Sequence, residues 1–296
     1  LPESGEVHRR IRYRLKKAAP WAAAGHELAW EQFQLRPAAR RTFRQPGKGP
    51  VERLQVVASG ALITAEAGGL RFAVDREDGG LLAYSLDGTE LISSGPRLNL
   101  FRGPVDNDGI KGWSGQEHKA LGRWQRLGID TAQPVVSEVT HRERPDGLEL
   151  SWIEALPLME GTDDIELRQK LFIRSTGEIR FDLTFSVPRE AADLPRLGVV
   201  FRLPPELEKL RWFGRGPEEN YIDRRAGYPV AVYESTVREQ YVPYILPQEH
   251  GNKSDVRWIE LAGEKGHHRG QGVRFEAEGL MEASASHFTP ADLYAA

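Results

Sequence analysis

The sequence predicts an all-β protein, an antiparallel sandwich or barrel, on two observations. From residue 51 onward short runs of apolar alternation recur, broken by Gly-Gly at 68–69, Asp-Gly-Gly at 78–80 and Asp-Gly at 87–88, the turn chemistry of hairpins. Helical periodicity shows in one stretch only, 117–127, where Leu121, Trp124 and Leu127 share a face.

Taken in order, residues 7–17, VHRRIRYRLKK, place Val7, Ile11, Tyr13 and Leu15 on one side of a half-buried strand. Pro20, Trp21 and Gly25 mark a loop, and 26–35 reads as the returning strand. A two-stranded hairpin is marginal in water, so this one is expected to be poorly anchored alone and to complete a sheet elsewhere. Residues 37–50, rich in Arg, Gly and Pro, read as a linker. Strands are expected at 54–59, 61–65, 70–75 and 81–86, then at 148–154, 165–173, 178–187 and 198–203, with Gly177 turning a hairpin. There is no internal repeat.

The bulk properties remove several functions. The 296 residues carry a formal net charge of −3, without the basic stripe of a nucleic-acid binder. No run approaches the roughly 20 apolar residues of a membrane span, and residues 1–14 lack a signal peptide's apolar region. Cysteine is absent, which excludes disulfides and thiolate chemistry and fits a reducing cytoplasm.

Three motifs hold the polar chemistry. In 211–224, RWFGRGPEENYIDR, two glycines and a proline precede Glu218, Glu219, Asn220, Tyr221, Asp223 and Arg224. Their mixture of donors, acceptors and a ring suits sugar hydroxyls, but composition alone favours a polar turn that satisfies itself. In 101–113, FRGPVDNDGIKGW, Arg102 precedes Asp106, Asn107 and Asp108; such acids can meet hydroxyls or a cation, but Asx-turns to local amides are favoured. In 241–252, YVPYILPQEHGN, Glu249, His250 and Asn252 cluster. His250 has the chemistry of a general acid/base and is read as a hydrogen-bonding surface residue. The Glu218–Glu219 pair has no fixed spacing of the kind a glycosidase needs. The histidines show no zinc spacing. Trp113, Trp124, Trp212, Tyr221, Tyr241 and Tyr244 surround these motifs, as a sugar platform or as core volume, the commoner use.

Together with 24–35, AGHELAWEQFQL, these motifs resemble, in order, the C-terminal region of bacterial β-galactosidases, family 2 glycoside hydrolases. The resemblance implies a large galactose mutarotase-like β-sandwich over 51–296, preceded by the last strands of an immunoglobulin-like domain over 1–36. Residues 287–296, HFTPADLYAA, resemble a point from which the family's domain runs on, so the chain reads as truncated. The resemblance places both catalytic glutamates in a barrel domain outside this chain, and any Mg or Na there too. It implies a chain inactive alone, supporting retaining hydrolysis of terminal β-galactosides within an oligomeric enzyme whose other domains, or large subunit, are its partners. Alternatives are a separate small subunit, or an aldose 1-epimerase or carbohydrate-binding domain.

Overall fold

A computed structural model describes residues 5–38, 53–159 and 162–295. Its regular structure is mostly antiparallel strand, as expected. The linker expected at 37–50 lies, beyond its first two residues, outside the described residues.

Strands β3 (Gln55–Ser59), β4 (Leu62–Ala67), β5 (Leu70–Asp75), β6 (Leu81–Leu86), β7 (Thr89–Ile92), β8 (Ser94–Asn99) and β13 (Gly198–Arg202) form a sheet in the order β13-β8-β6-β5-β4-β3, with β7 on β6. A second sheet is the meander of β9 (Val135–Arg144), β10 (Gly147–Leu156), β11 (Ile165–Arg174) and β12 (Ile179–Ser186). Ile63, Phe72, Val74 and Leu81 of the first sheet meet Leu148, Leu150, Trp152, Leu171 and Ile173 of the second in one buried cluster. Strict alternation along β11 aims Ile165, Leu167, Leu171 and Ile173 inward, the period that a strand imposes. One buried carboxylate joins the two sheets: Glu154 accepts from Leu98 N (2.6 Å), Gln169 Nε2 (2.7 Å) and Trp152 Nε1 (3.1 Å).

The helix α1 (Ala120–Leu127) is three residues shorter than its apolar pattern suggests. It buries Leu121 and Trp124 against the end of the sandwich and stops at Gly128, whose φ of 75° favours glycine.

A third sheet, β15-β14-β16-β17, comprises β14 (Lys209–Arg215), β15 (Val230–Thr236), β16 (Lys253–Ala262) and β17 (Gly272–Ala283). Three phenylalanines tie it to the others: Phe201 of β13 lies 5.4 Å from Phe181 of β12 and 4.8 Å from Phe275 of β17. Gly214 and Arg215, read from sequence as the start of a turn, belong to β14 instead. Gly214 has no positive φ. A Cβ there would lie 2.9 Å from Val256 Cγ2 and 3.0 Å from Val256 Cα, so this glycine gives β16 room to approach.

The hairpin of β1 (Val7–Arg14) and β2 (Glu27–Arg36) remains a two-stranded sheet. Contrary to expectation it is anchored, and by its polar face. Gln32 exchanges two hydrogen bonds with the backbone of Val230 (2.7 and 2.8 Å), and Glu6 just before β1 binds Arg257. Ile11, Tyr13 and Phe33 face away and are exposed.

Candidate functional site

Strands β14 and β16 pair side by side as far as Phe213 and Trp258. The segments that leave them, 216–224 and 248–252, close over each other. Asn220 N donates to Asn252 O (2.8 Å), and Asn252 Nδ2 returns a bond to Asn220 O (2.9 Å). The Asn220 side chain, wholly buried, accepts from Ser254 N (2.8 Å) and Ser254 Oγ and donates to Glu218 O (3.0 Å). Its oxygen accepts twice and its nitrogen donates once, all within the protein.

Glu219 is the centre of the arrangement. Its Oε1 accepts from Arg224 Nη2 (2.9 Å) and from the Tyr244 hydroxyl; its Oε2 accepts from Gly251 N (2.8 Å) and, more weakly, from Tyr221 OH (3.4 Å). Burial, with the neighbouring charges of Glu219 and Glu249, pushes the Tyr221 hydroxyl well above its ordinary pKa. Burial and the bond to Glu219 push Tyr244 up to about 12. Both phenols therefore stay protonated donors at neutral pH.

The 101–113 motif joins through the backbone. Glu249 N donates to Gly103 O (3.0 Å), and the Glu249 carboxylate is held by Arg196. Asp108 is buried; it accepts from Arg102 Nη2 (2.8 and 3.0 Å) and from Val105 N (3.0 Å). Its own carbonyl takes Leu121 N (2.8 Å), docking the loop on α1. Asp108 thus meets one nearby backbone amide, at Val105, but in place of the expected Asx-turn its carboxylate is paired with Arg102. Asp106, Asn107 and Asp223 are exposed, and Arg224 is half-exposed through its grip on Glu219.

One expectation is corrected. His250 is buried, not a surface residue: its ring packs edge-on to Tyr241 (5.1 Å), Nδ1 bonds to Gln248 O (3.0 Å), and Nε2 lies 3.4 Å from Ser286 Oγ. Trp124 and Trp212 are buried as core, the commoner of the two uses read from the sequence, while Trp113 is exposed. Sequence reasoning also missed Lys253. It is buried at the start of β16 with its ammonium 5.0 Å from the Trp212 ring centre. Burial lowers its pKa to about 8, against the opposing pull of Glu219 and Glu218. A lysine opening an otherwise buried alternating run, KSDVRWIELA, was the available signal.

Chemically, the carboxylates of this lattice are paired from within, while Arg102 Nε is buried without a hydrogen-bond partner among the described residues. Asp108, Glu219 and Glu249 are each engaged by an arginine, and Asp108 and Glu219 also by a backbone amide. Among the described residues no group of three or more His, Asp or Glu side chains is disposed to hold a metal.

The comparisons with known proteins bear on the same segments. The profile described as "Beta galactosidase small chain" matches residues 66–296, which contain all three motifs. The chain belongs to the β-galactosidase small-chain family. A second profile, "Beta-galactosidase, domain 4", matches residues 1–36. A β-galactosidase of Priestia megaterium is 29% identical over 293 residues, covering 99% of this chain and 27% of that protein. One from Lactobacillus delbrueckii subsp. bulgaricus is 28% identical, with 99% and 27% covered. One from an Arthrobacter species is 33% identical, with 87% and 25% covered. The chain thus spans about a quarter of the length of these relatives.

Proposed function

We propose that this chain is the non-catalytic C-terminal part of a β-galactosidase, a mutarotase-like sandwich that packs on a catalytic barrel and supports retaining hydrolysis of terminal β-galactosides. Family membership supplies the enzyme class. The observation that carries the division of labour is the state of the motif carboxylates. A retaining glycosidase sets two carboxyl groups about 5–5.5 Å apart, one free to attack and one to donate a proton. Here Glu219 and Glu249 are buried and held by Arg224 and Arg196. The reacting pair, and any Mg or Na that assists it, belong in our reading to the barrel. The hairpin at 1–36 is the tail of an immunoglobulin-like domain leading into the sandwich, and the parent enzyme is cytoplasmic and oligomeric. An aldose 1-epimerase is disfavoured because both ring nitrogens of His250 meet neutral groups, Gln248 O and Ser286 Oγ, where an acid/base histidine needs an open position for substrate.

Incubation of the purified chain with a chromogenic β-galactoside tests the proposal. No turnover is expected from the chain alone, and turnover is expected from the complete polypeptide of its gene. Hydrolysis by the isolated chain that disappears in Glu219→Gln would overturn the assignment.

A further inference from the structure

We propose that Ile222, Ile245 and Leu246 form the face by which this sandwich docks on the remaining polypeptide of a β-galactosidase; the inference deepens the functional reading above and rests on it. The side chains stand on two loops that meet at one atom. Arg224, two residues after Ile222, and Tyr244, next to Ile245, both donate to Glu219 Oε1. Gly251 N donates to the other oxygen of the same carboxylate. Tyr241, at the start of the second loop, packs on Phe288 (5.3 Å) and on the buried His250 (5.1 Å). The loops are therefore held from beneath while their tips are bare: Ile245 is 101% exposed and Ile222 73%, and Leu246, next to Ile245 in the sequence, is half-exposed.

A single exposed aliphatic residue needs no explanation, but several on adjoining loops braced by a buried ionic hub do. The chemistry of the tips selects the partner. Sugars are gripped by ring faces and by hydroxyl-directed donors and acceptors, whereas branched aliphatic side chains offer only dispersion and desolvation, which suit another protein surface. That surface has a source. The relatives contain about three-quarters of their length beyond what this chain matches. Preorganisation by Glu219 lowers the entropy cost of docking, which is how a small apolar face becomes an effective contact. The three sequence motifs then have one joint purpose: to hold up a contact surface.

Hydrogen exchange of the isolated chain and of the complete polypeptide from its gene tests this. Amides of 221–224 and 242–247 should exchange at least tenfold more slowly in the complete polypeptide. Ile245→Asp should remove that difference while leaving the melting temperature of the isolated chain unchanged, because the side chain touches only solvent there. Equal exchange of both loops in the two forms would overturn the proposal, as would a gene region encoding no further polypeptide to dock. Slowing of the loops in the isolated chain by galactose alone would overturn it too, by making the face a sugar site. Galactosidase activity of the complete polypeptide, measured in parallel, separates failure of this face from failure of the enzymatic reading.

Discussion

Glu6 and Arg257, 251 positions apart in sequence, are joined by two hydrogen bonds, 2.9 Å from Nε to Oε2 and 2.5 Å from Nη2 to Oε1. His8 Nε2 (2.6 Å) and Gln34 Nε2 (2.7 Å) meet the same carboxylate. Burial by itself would raise the Glu6 pKa; the bonds from Arg257, His8 and Gln34 and the charge of Arg257 outweigh it and hold the group at about 2, from 4.5. This contact, with Gln32 on Val230, fastens the hairpin to the third sheet. The native carboxyl holds its proton less tightly than the unfolded one, so its stabilisation is present above pH 4.5 and disappears as pH falls towards 2. Acidification through that window should release β1 and β2 before the sandwich unfolds, and Glu6→Gln should release them at pH 7. Amide exchange of 7–14 and 27–36 reads both effects; protection equal to that of β10 in the Gln variant would show that the latch is dispensable.

Asn220→Ala should lower domain stability by about 1–3 kcal/mol, because Ser254 N and Ser254 Oγ lose a buried acceptor. Chemical denaturation with the slope held constant measures it. A variant as stable as the parent would mean that the two segments close without this side chain.

Gly214→Ala should destabilise by about 1–3 kcal/mol through overpacking, since the added carbon meets the Val256 main chain as well as its side chain. The double variant Gly214→Ala with Val256→Ala should still be impaired, because the 3.0 Å contact is to Cα. Full recovery in the double variant would place the clash in the valine side chain alone.

Much of the sandwich was legible because its strands announce themselves locally. The runs at 70–75 and 81–86 coincide with β5 and β6, where turn glycines bound a clear alternation. What escaped was decided by tertiary partners. Gly214 looks like punctuation in a string and proves to be a close approach between strands. His250 looks like a loop histidine and is roofed by Tyr241. The hairpin's alternation is real, but nothing local reveals that its polar face would dock through Gln32 while Ile11 and Tyr13 point outward. The motif residues were identified from sequence; their convergence on Glu219 depends on loops about 30 positions apart, as Gly251 and Glu219 are.

Lys253 gives a second pH-dependent prediction, in which stability again rises with pH but the group is a cost rather than a support at neutral pH. Its native pKa, about 8, lies below the ordinary 10.5, so the protonated form is disfavoured by folding. The cost is fully present below pH 8 and is relieved as pH rises towards 10.5. Lys253→Met should therefore gain most in melting temperature over the parent at pH 7, the difference shrinking by pH 10. A difference independent of pH would show that the ammonium is not disfavoured by burial.

The central claim is that the motif carboxylates hold the domain together and take no part in bond cleavage. Glu219→Gln in the complete polypeptide tests it most directly, with thermal unfolding and galactoside kinetics measured on the same preparation. The account predicts a lowered melting transition of this domain, from weakened bonds to Arg224 and Gly251, with kcat per folded molecule within about tenfold of the parent. An unchanged melting transition with kcat reduced by at least the 10²–10⁴-fold, or roughly so, that an acid/base group supplies would contradict it.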